Sequence, residues 1–221
     1  AHTMAKTCYI FGAGDYGAQT CPAIAPDAFV IAADGGFDQL ARWGLRPHLA
    51  VGDFDSLGRV PEGVDVVRHP PEKDDTDMML AVREGLARGC RRFLLYGGLG
   101  GRLDHTLGNL QLLAWMARQG CAPFLIGPDA VLTAVHNGAL TFSPGHWGML
   151  SLFAWGAKAE GITLTGLKYP LTDGVFTCDC PLGVSNEFLG QTAVVSVKHG
   201  TILSHWTPED GAPLPVHGPN P

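Results

Sequence analysis

Two carboxylates stand two positions apart in "VGDFDS" (Val51–Ser56), and three more crowd "KDDTD" (Lys73–Asp77) beside a lysine and a threonine. Like charges held so close repel, and the arrangement becomes useful when a hard cation sits beside them. Magnesium, for example, takes one or two carboxylates together with waters and substrate phosphates. Asp53 and Asp55 can share a face at a strand end, and Asp74 and Asp77 share one face of a first helical turn. The competing reading of D-x-D is a turn capped by an aspartate, and helix capping accounts for one or two of the acids in "KDDTD". Lys73 is placed to meet a phosphate or else stands solvated. In "GGLGGRLDH" (Gly97–His105) glycines such as Gly100 and Gly101 let backbone N–H groups close on an anion, and Arg102 offers a planar fork to phosphate oxygens. Asp104 either caps the next helix or fixes Arg102, and His105 either bonds a ribose or base or is structural. Together these groups describe phosphoryl or pyrophosphoryl transfer from a nucleotide. The Walker pattern G-x-x-x-x-G-K-[ST] does not occur in the chain, so the donor loop is of another kind.

Such groups must be delivered to one place by the elements around them. Short β-rich runs alternate with helical patterns in the first part of the chain: "CYIF", "AFVIAA", "HLAV", "VDVV", "RFLLY" and "APFLI" read as strands. A helix from near Asp74 carries Met78, Met79, Val82 and Leu86 on one face. Another, from near Asp104, carries Leu107, Leu110, Leu113, Ala114 and Ala117. This is the signature of a parallel sheet with crossover helices, in which ligands bind beyond the carboxyl ends of the strands. Gly12, Asp34, Asp53 and Gly97 all follow strand ends, so one rim collects them. From about Asn137 the helical pattern stops, and "ALTFS", "GMLSLFAW", "GITLTGL", "GVFTCDC" and "TAVVSVKHGTILSHW" read as strands between Gly, Pro and Asp turns. The expected organisation is an α/β domain over 4–136 and an all-β sandwich over 137–206. A tail over 207–221, rich in Pro and Gly, is expected to be extended or disordered. Ala1–Thr3, ahead of Met4, are expected to stand outside the fold.

"GAGDYG" (Gly12–Gly17) satisfies G-x-G-x-x-G and is followed by Asp34 at the end of the next strand, as in a dinucleotide fingerprint. Pro22 and Pro26 interrupt the segment that would be the crossover helix, which argues against it. A glycine loop near another phosphate ligand and a merely structural turn both remain open.

Composition bounds the class. The 221 residues are 46% hydrophobic and 16% charged, enough for a substantial core. A formal charge of -6 argues against a nucleic-acid surface. No apolar run approaches the roughly 20 residues of a membrane span. The six cysteines include a C-x-C at Cys178 and Cys180 but no paired C-x-x-C, which predicts reduced, mostly buried thiols in a cytoplasmic protein.

"ADGG" (Ala33–Gly36), "GDFDS", "KDDTD", "GGLGGRLDH", "TGLKYPL" (Thr165–Leu171) and "GVSNE" (Gly183–Glu187) occur in this order, and in this the chain resembles the thiamine pyrophosphokinases of bacteria. The resemblance spans roughly Tyr9 to Trp206. It implies an N-terminal α/β domain, a C-terminal β-sandwich and a homodimer with shared active sites. The implied reaction is that of thiamine and ATP, with magnesium, to give thiamine diphosphate and AMP. Asp53, Asp55 and Asp77 would serve the metal and the transferred group. Asp34, Gly35, Gly36, Lys73, Asp74, Gly100, Gly101, Arg102, Asp104 and His105 would serve ATP. Ser185 and Asn186 would face thiamine, with Tyr169, Trp155 and Trp206 as candidates for cation–π contact with its ring. Two other classes remain beside this one: another metal-dependent nucleotide-using transferase, and a non-catalytic nucleotide-binding sensor.

Overall fold

A computed structural model of the chain describes residues 6–55, 57–70 and 75–221. They form two compact units: one contains the residues up to Leu112 together with Pro123–Pro128, the other Leu113–Ala122 and everything from Asp129 onward.

In the first unit the chain runs β1 (Lys6–Phe11), β2 (Phe29–Ala33), α1 (Gly36–Arg42), β3 (Leu49–Gly52), β4 (Asp65–Arg68), α2 (Asp77–Ala87), β5 (Cys90–Tyr96), α3 (Leu103–Arg118, extending beyond the unit) and β6 (Ala122–Ile126). The strands lie in the order β6-β5-β1-β2-β3-β4. The pairs from β5 through β1, β2 and β3 to β4 are parallel. Ile10, Phe11, Ile31, Ala32, Ala50, Val51, Phe93 and Leu95 are buried to 0% exposure, as expected of strands covered on both faces. From β1 the chain lays β2, β3 and β4 to one side and then β5 to the other, so the order reverses between β1 and β5. The loops there diverge and leave a crevice beyond the strand ends.

The six expected strands are present. The two expected helices begin at Asp77 and Leu103, the first with Thr76 as N-cap, its hydroxyl accepting from Met79 N at 3.2 Å. The short α1 went unforeseen because its seven residues are too few to set a periodic pattern. Between β1 and β2, Gly12–Ala28 contains no helix, so "GAGDYG" does not open a dinucleotide-binding crossover.

Apart from the end of α3, the second unit is built of strands: β7 (Val131–His136), β8 (Gly138–Phe142), β9 (Met149–Ala154), β10 (Lys158–Thr165), β11 (Leu171–Thr177), β12 (Asn186–Glu187), β13 (Ala193–Ser196), β14 (Thr201–Trp206) and β15 (Val216–Pro219). The strands pair antiparallel in two arrays, β7-β14-β9-β12 and β11-β10-β13-β8-β15. Phe142, Phe188 and Trp206 form an aromatic core at 0–2% exposure, with Phe142 crossing Trp206 edge-on at 5.1 Å. The unit begins earlier than the expected 136/137 boundary because β7 pairs along its whole length with β14.

Within the tail, expected to be extended or disordered, Val216–Pro219 is extended and ordered, adding an edge strand to β8. Proline is tolerated there because an edge residue need not donate to a ladder. His217 on this strand reaches Thr133 Oγ1 at 3.1 Å and Ala134 O at 3.0 Å. Deleting residues 207–221 should therefore cost on the order of 2 kcal/mol in lost hydrogen bonds, read as a Tm lower by about 5 °C. An unchanged Tm would show that β15 contributes nothing.

All six cysteines are free thiols, as expected. Only Cys8, Cys90 and Cys121 are buried, whereas Cys21, Cys178 and Cys180 are exposed, so "mostly buried" does not hold. Among the described residues no helix is long and apolar enough to cross a membrane.

Candidate active site

Asp34 follows β2 in a left-handed conformation, φ 45°, which is uncommon for a residue with a side chain. Its N–H donates to Val51 O at 2.8 Å, which ties the turn to the end of β3. Asp53 follows β3, and Asp77 is the first residue of α2. One carboxylate oxygen from each of Asp34, Asp53 and Asp77 lies within 4.8 Å of the others, all three side chains being half-buried. Three hard oxygen donors at this spacing fit a magnesium-type cation that completes its shell with water and phosphate oxygens.

The membership of this group differs from the expected one. Phe54, between Asp53 and Asp55, is buried and has φ 63°, so the strand alternation that would put both acids on one face is broken. Asp53 Oδ1 accepts the N–H of Asp55 at 3.0 Å. The capped-turn reading of "GDFDS" is thus realised, and Asp53 joins the carboxylate group as well. Asp55 is exposed and outside the three-way cluster, and Asp34 takes that place. In "KDDTD", Asp75 pairs with Arg83 at 3.0 Å. Lys73 and Asp74 lie outside the described residues.

A recess of about 470 Å³ opens where the strand order reverses, lined among others by Gly12, Gly14, Asp34, Asp77, Gly97 and Gly100. Arg102 and His105 also line it, at the start of α3. Gly35 precedes α1 as its N-cap, and Gly36 is buried at the helix start. Gly101 is exposed with φ 67°. Asp104 fixes Arg102: the guanidinium donates to both carboxylate oxygens, at 3.2 and 2.6 Å. That pair holds the Arg102 cation above its ordinary range and the Asp104 carboxyl below. Both side chains stand largely in water, 72% and 63% exposed, so the pair is weak and exchangeable. Arg102 can leave it for a phosphate.

In the second unit Asn186 is 6% exposed. Its amide accepts from Tyr169 N at 3.0 Å and from Glu187 N at 2.8 Å, and donates to Tyr169 O at 2.8 Å. Asn186 therefore clamps the Tyr169 backbone, using both acceptor sites of its amide oxygen and one of its two N–H donors. Tyr169 itself stands 59% exposed, with Lys168 Nζ 5.7 Å from its ring centre. Ser185 is exposed at φ 62°, its N–H donating to Ser151 Oγ at 3.1 Å. Trp206 is a core residue at 2% exposure and presents no face to a ligand. Trp155 is half-buried.

Asn109 went unremarked in the sequence although it lines the recess and is 8% exposed. A signal was present: position 109 lies one helical turn before the buried Leu113, and an asparagine on an apolar helix face must find a partner.

Residues 23–125 match the family model for the thiamin pyrophosphokinase catalytic domain, and residues 140–202 that for the thiamin pyrophosphokinase vitamin B1 binding domain. The chain is 29% identical over 187 residues to the thiamine pyrophosphokinase of Bacillus subtilis, covering 78% of this chain and 84% of the relative. It is 30% identical over 192 residues to thiamin pyrophosphokinase 1 of Caenorhabditis elegans, covering 78% and 76%. The crystal structure of the Bacillus subtilis thiamine pyrophosphokinase superposes with a TM-score of 0.82 at 26% identity, over 92% of this chain and all of that one. Matched along both of its units in sequence and in fold, the chain belongs to the thiamine pyrophosphokinase family.

Proposed function

We propose that the chain transfers the pyrophosphoryl group of ATP to the hydroxyethyl oxygen of thiamine, giving thiamine diphosphate and AMP. The observation that carries this is the gathering of Asp34, Asp53 and Asp77 beside a glycine-lined recess at the reversal of the parallel sheet. Asp34, Asp53 and Asp77 would hold magnesium, which when bound offsets charge on the phosphate oxygens. Asp55, whose N–H is held by Asp53, is exposed and lies outside that cluster. Arg102, exchanging Asp104 for phosphate oxygens, would stabilise charge developing on the transferred group and on departing AMP. Asp53 or Asp77 would accept the proton of the thiamine hydroxyl. Gly35, Gly36, Gly100, Gly101, Lys73, Asp74 and His105 belong to the ATP side of this reading. An acidic site also favours a cationic thiazolium, and the exposed Tyr169 ring, held by Asn186, would add cation–π attraction.

A homodimer with shared active sites is part of the same proposal. It is supported by large apolar side chains of the second unit left exposed: Trp147, Met149, Phe153, Leu182, Val184 and Leu189. Isolated exposed apolar residues are ordinary, but so many on one small unit suit a covered face. Sedimentation equilibrium should give twice the chain mass, and a monomer at micromolar concentration would reject the dimer. Free cysteines suit a reducing, cytoplasmic location.

Incubation of the protein with magnesium, ATP and thiamine tests the reaction. AMP should appear in step with thiamine diphosphate. ADP as the product, or turnover that ignores thiamine, would overturn the proposal.

A further inference from the structure

Three successive carbonyls of the loop leaving β5 are each held from the protein side. Gly12 N donates to Tyr96 O at 2.8 Å and Gly14 N to Gly97 O at 2.8 Å, while Asn109 Nδ2 donates to Gly98 O at 2.8 Å. Behind them, Tyr16 Oη donates to Gly12 O at 2.8 Å, and burial keeps its phenol protonated by pushing its pKa up. A trans peptide points its N–H opposite to its C=O. Fixing the carbonyls of Tyr96, Gly97 and Gly98 therefore fixes the N–H groups of Gly97, Gly98 and Leu99 in the opposing direction. Among the described residues, no backbone hydrogen bond outside the strand ladders takes up any of these three N–H groups. Gly97 and Gly98 line the recess, and oriented, unused N–H groups form an anion-binding concavity.

We infer that Asn109 is a positioning residue for the nucleotide's phosphate chain: it sets the direction of the Gly98–Leu99 peptide and so preorganises the donor loop. The inference rests on the reading of this recess as the ATP site. It also gives "GAGDYG" a use distinct from phosphate contact, as the clasp that holds the adjoining peptides. The crowding agrees: a Cβ on Gly14 would meet the Gly97 carbonyl, and one on Gly98 would lie 2.7 Å from Leu125 Cδ1 and 2.9 Å from Asn109 Nδ2.

The test compares ATP with adenosine by calorimetric titration of the full chain. Asn109→Leu keeps the branched shape without the donor, and Asn109→Ala serves as a second variant should the first fold poorly. Each should weaken ATP binding by about tenfold, the equivalent of one lost hydrogen bond to a preorganised site. Adenosine binding should stay within about twofold, because the effect acts through the phosphates. Equal loss for ATP and adenosine, or undiminished ATP binding, would overturn the inference and leave the functional reading standing. Failure of the unaltered protein to bind ATP would overturn that reading and this inference with it.

Discussion

Asp53→Asn is expected to lower thiamine-dependent AMP formation by on the order of a thousandfold while leaving the fold at least as stable as before in metal-free buffer. Two unit charges 4.8 Å apart repel by about 3 kcal/mol at an effective dielectric constant of 20. Removing one of three such charges relieves part of that repulsion. The turn should survive, because an asparagine keeps the side-chain oxygen that accepts Asp55 N. What is lost is one anionic oxygen donor, and with it the grip on a divalent cation. Magnesium should raise the Tm of the unaltered protein, since a ligand that binds only the folded state stabilises it; that rise should be largely absent in Asp53→Asn. The comparison with Asp55→Asn makes the expectation sharper. Asp55 is exposed and outside the cluster, so its substitution should cost less than that of Asp53 or Asp77. A larger loss at Asp55 than at Asp53 would mean that Asp34 is not the third member of the site.

Much of the site could be read from residue types and order, because its parts are short segments that each follow a strand. "GDFDS", "ADGG" and "GGLGG" sit at the ends of β3, β2 and β5, and a parallel sheet brings those ends to one edge. Less legible was which aspartates converge. Period-two alternation assumes extended backbone, and Phe54 at φ 63° ends that assumption one residue before Asp55. Asp34 joins the group through its own left-handed turn, and the sequence around it carries that only as the neighbouring glycines. Similar reasons explain the second unit. Asn186 was expected to face a substrate, and its amide also binds the Tyr169 backbone 17 residues away in sequence, a pairing set by the β-domain's tertiary course. The edge strand β15 hides behind Pro and Gly content that ordinarily marks a loose tail, because an edge position tolerates both residues.

Gly36 couples the fold to the site, and Gly36→Ala is expected to damage both. An added Cβ would fall on the Phe11 carbonyl and its carbon, and would lie 3.1 Å from Gly12 O. These are backbone atoms of β1 and the first residue beyond it, which cannot swing aside as a flexible side chain would. Overpacking against them should cost about 3 kcal/mol, read as a Tm lower by roughly 10 °C. Relief requires α1 to withdraw from β1, and Asp34 lies only two residues before the point of contact. Its carboxylate would then move out of reach of Asp53 and Asp77, so kcat should fall even at temperatures where the variant is fully folded. Gly108→Ala on α3 is the matched control. A Cβ there meets nothing within 4 Å, and alanine in a helix interior is favoured over glycine by about 1 kcal/mol. That variant should gain stability and keep its turnover. If Gly36→Ala melted with the unaltered protein, the close approach of α1 to β1 would not be what holds Asp34 in the cluster.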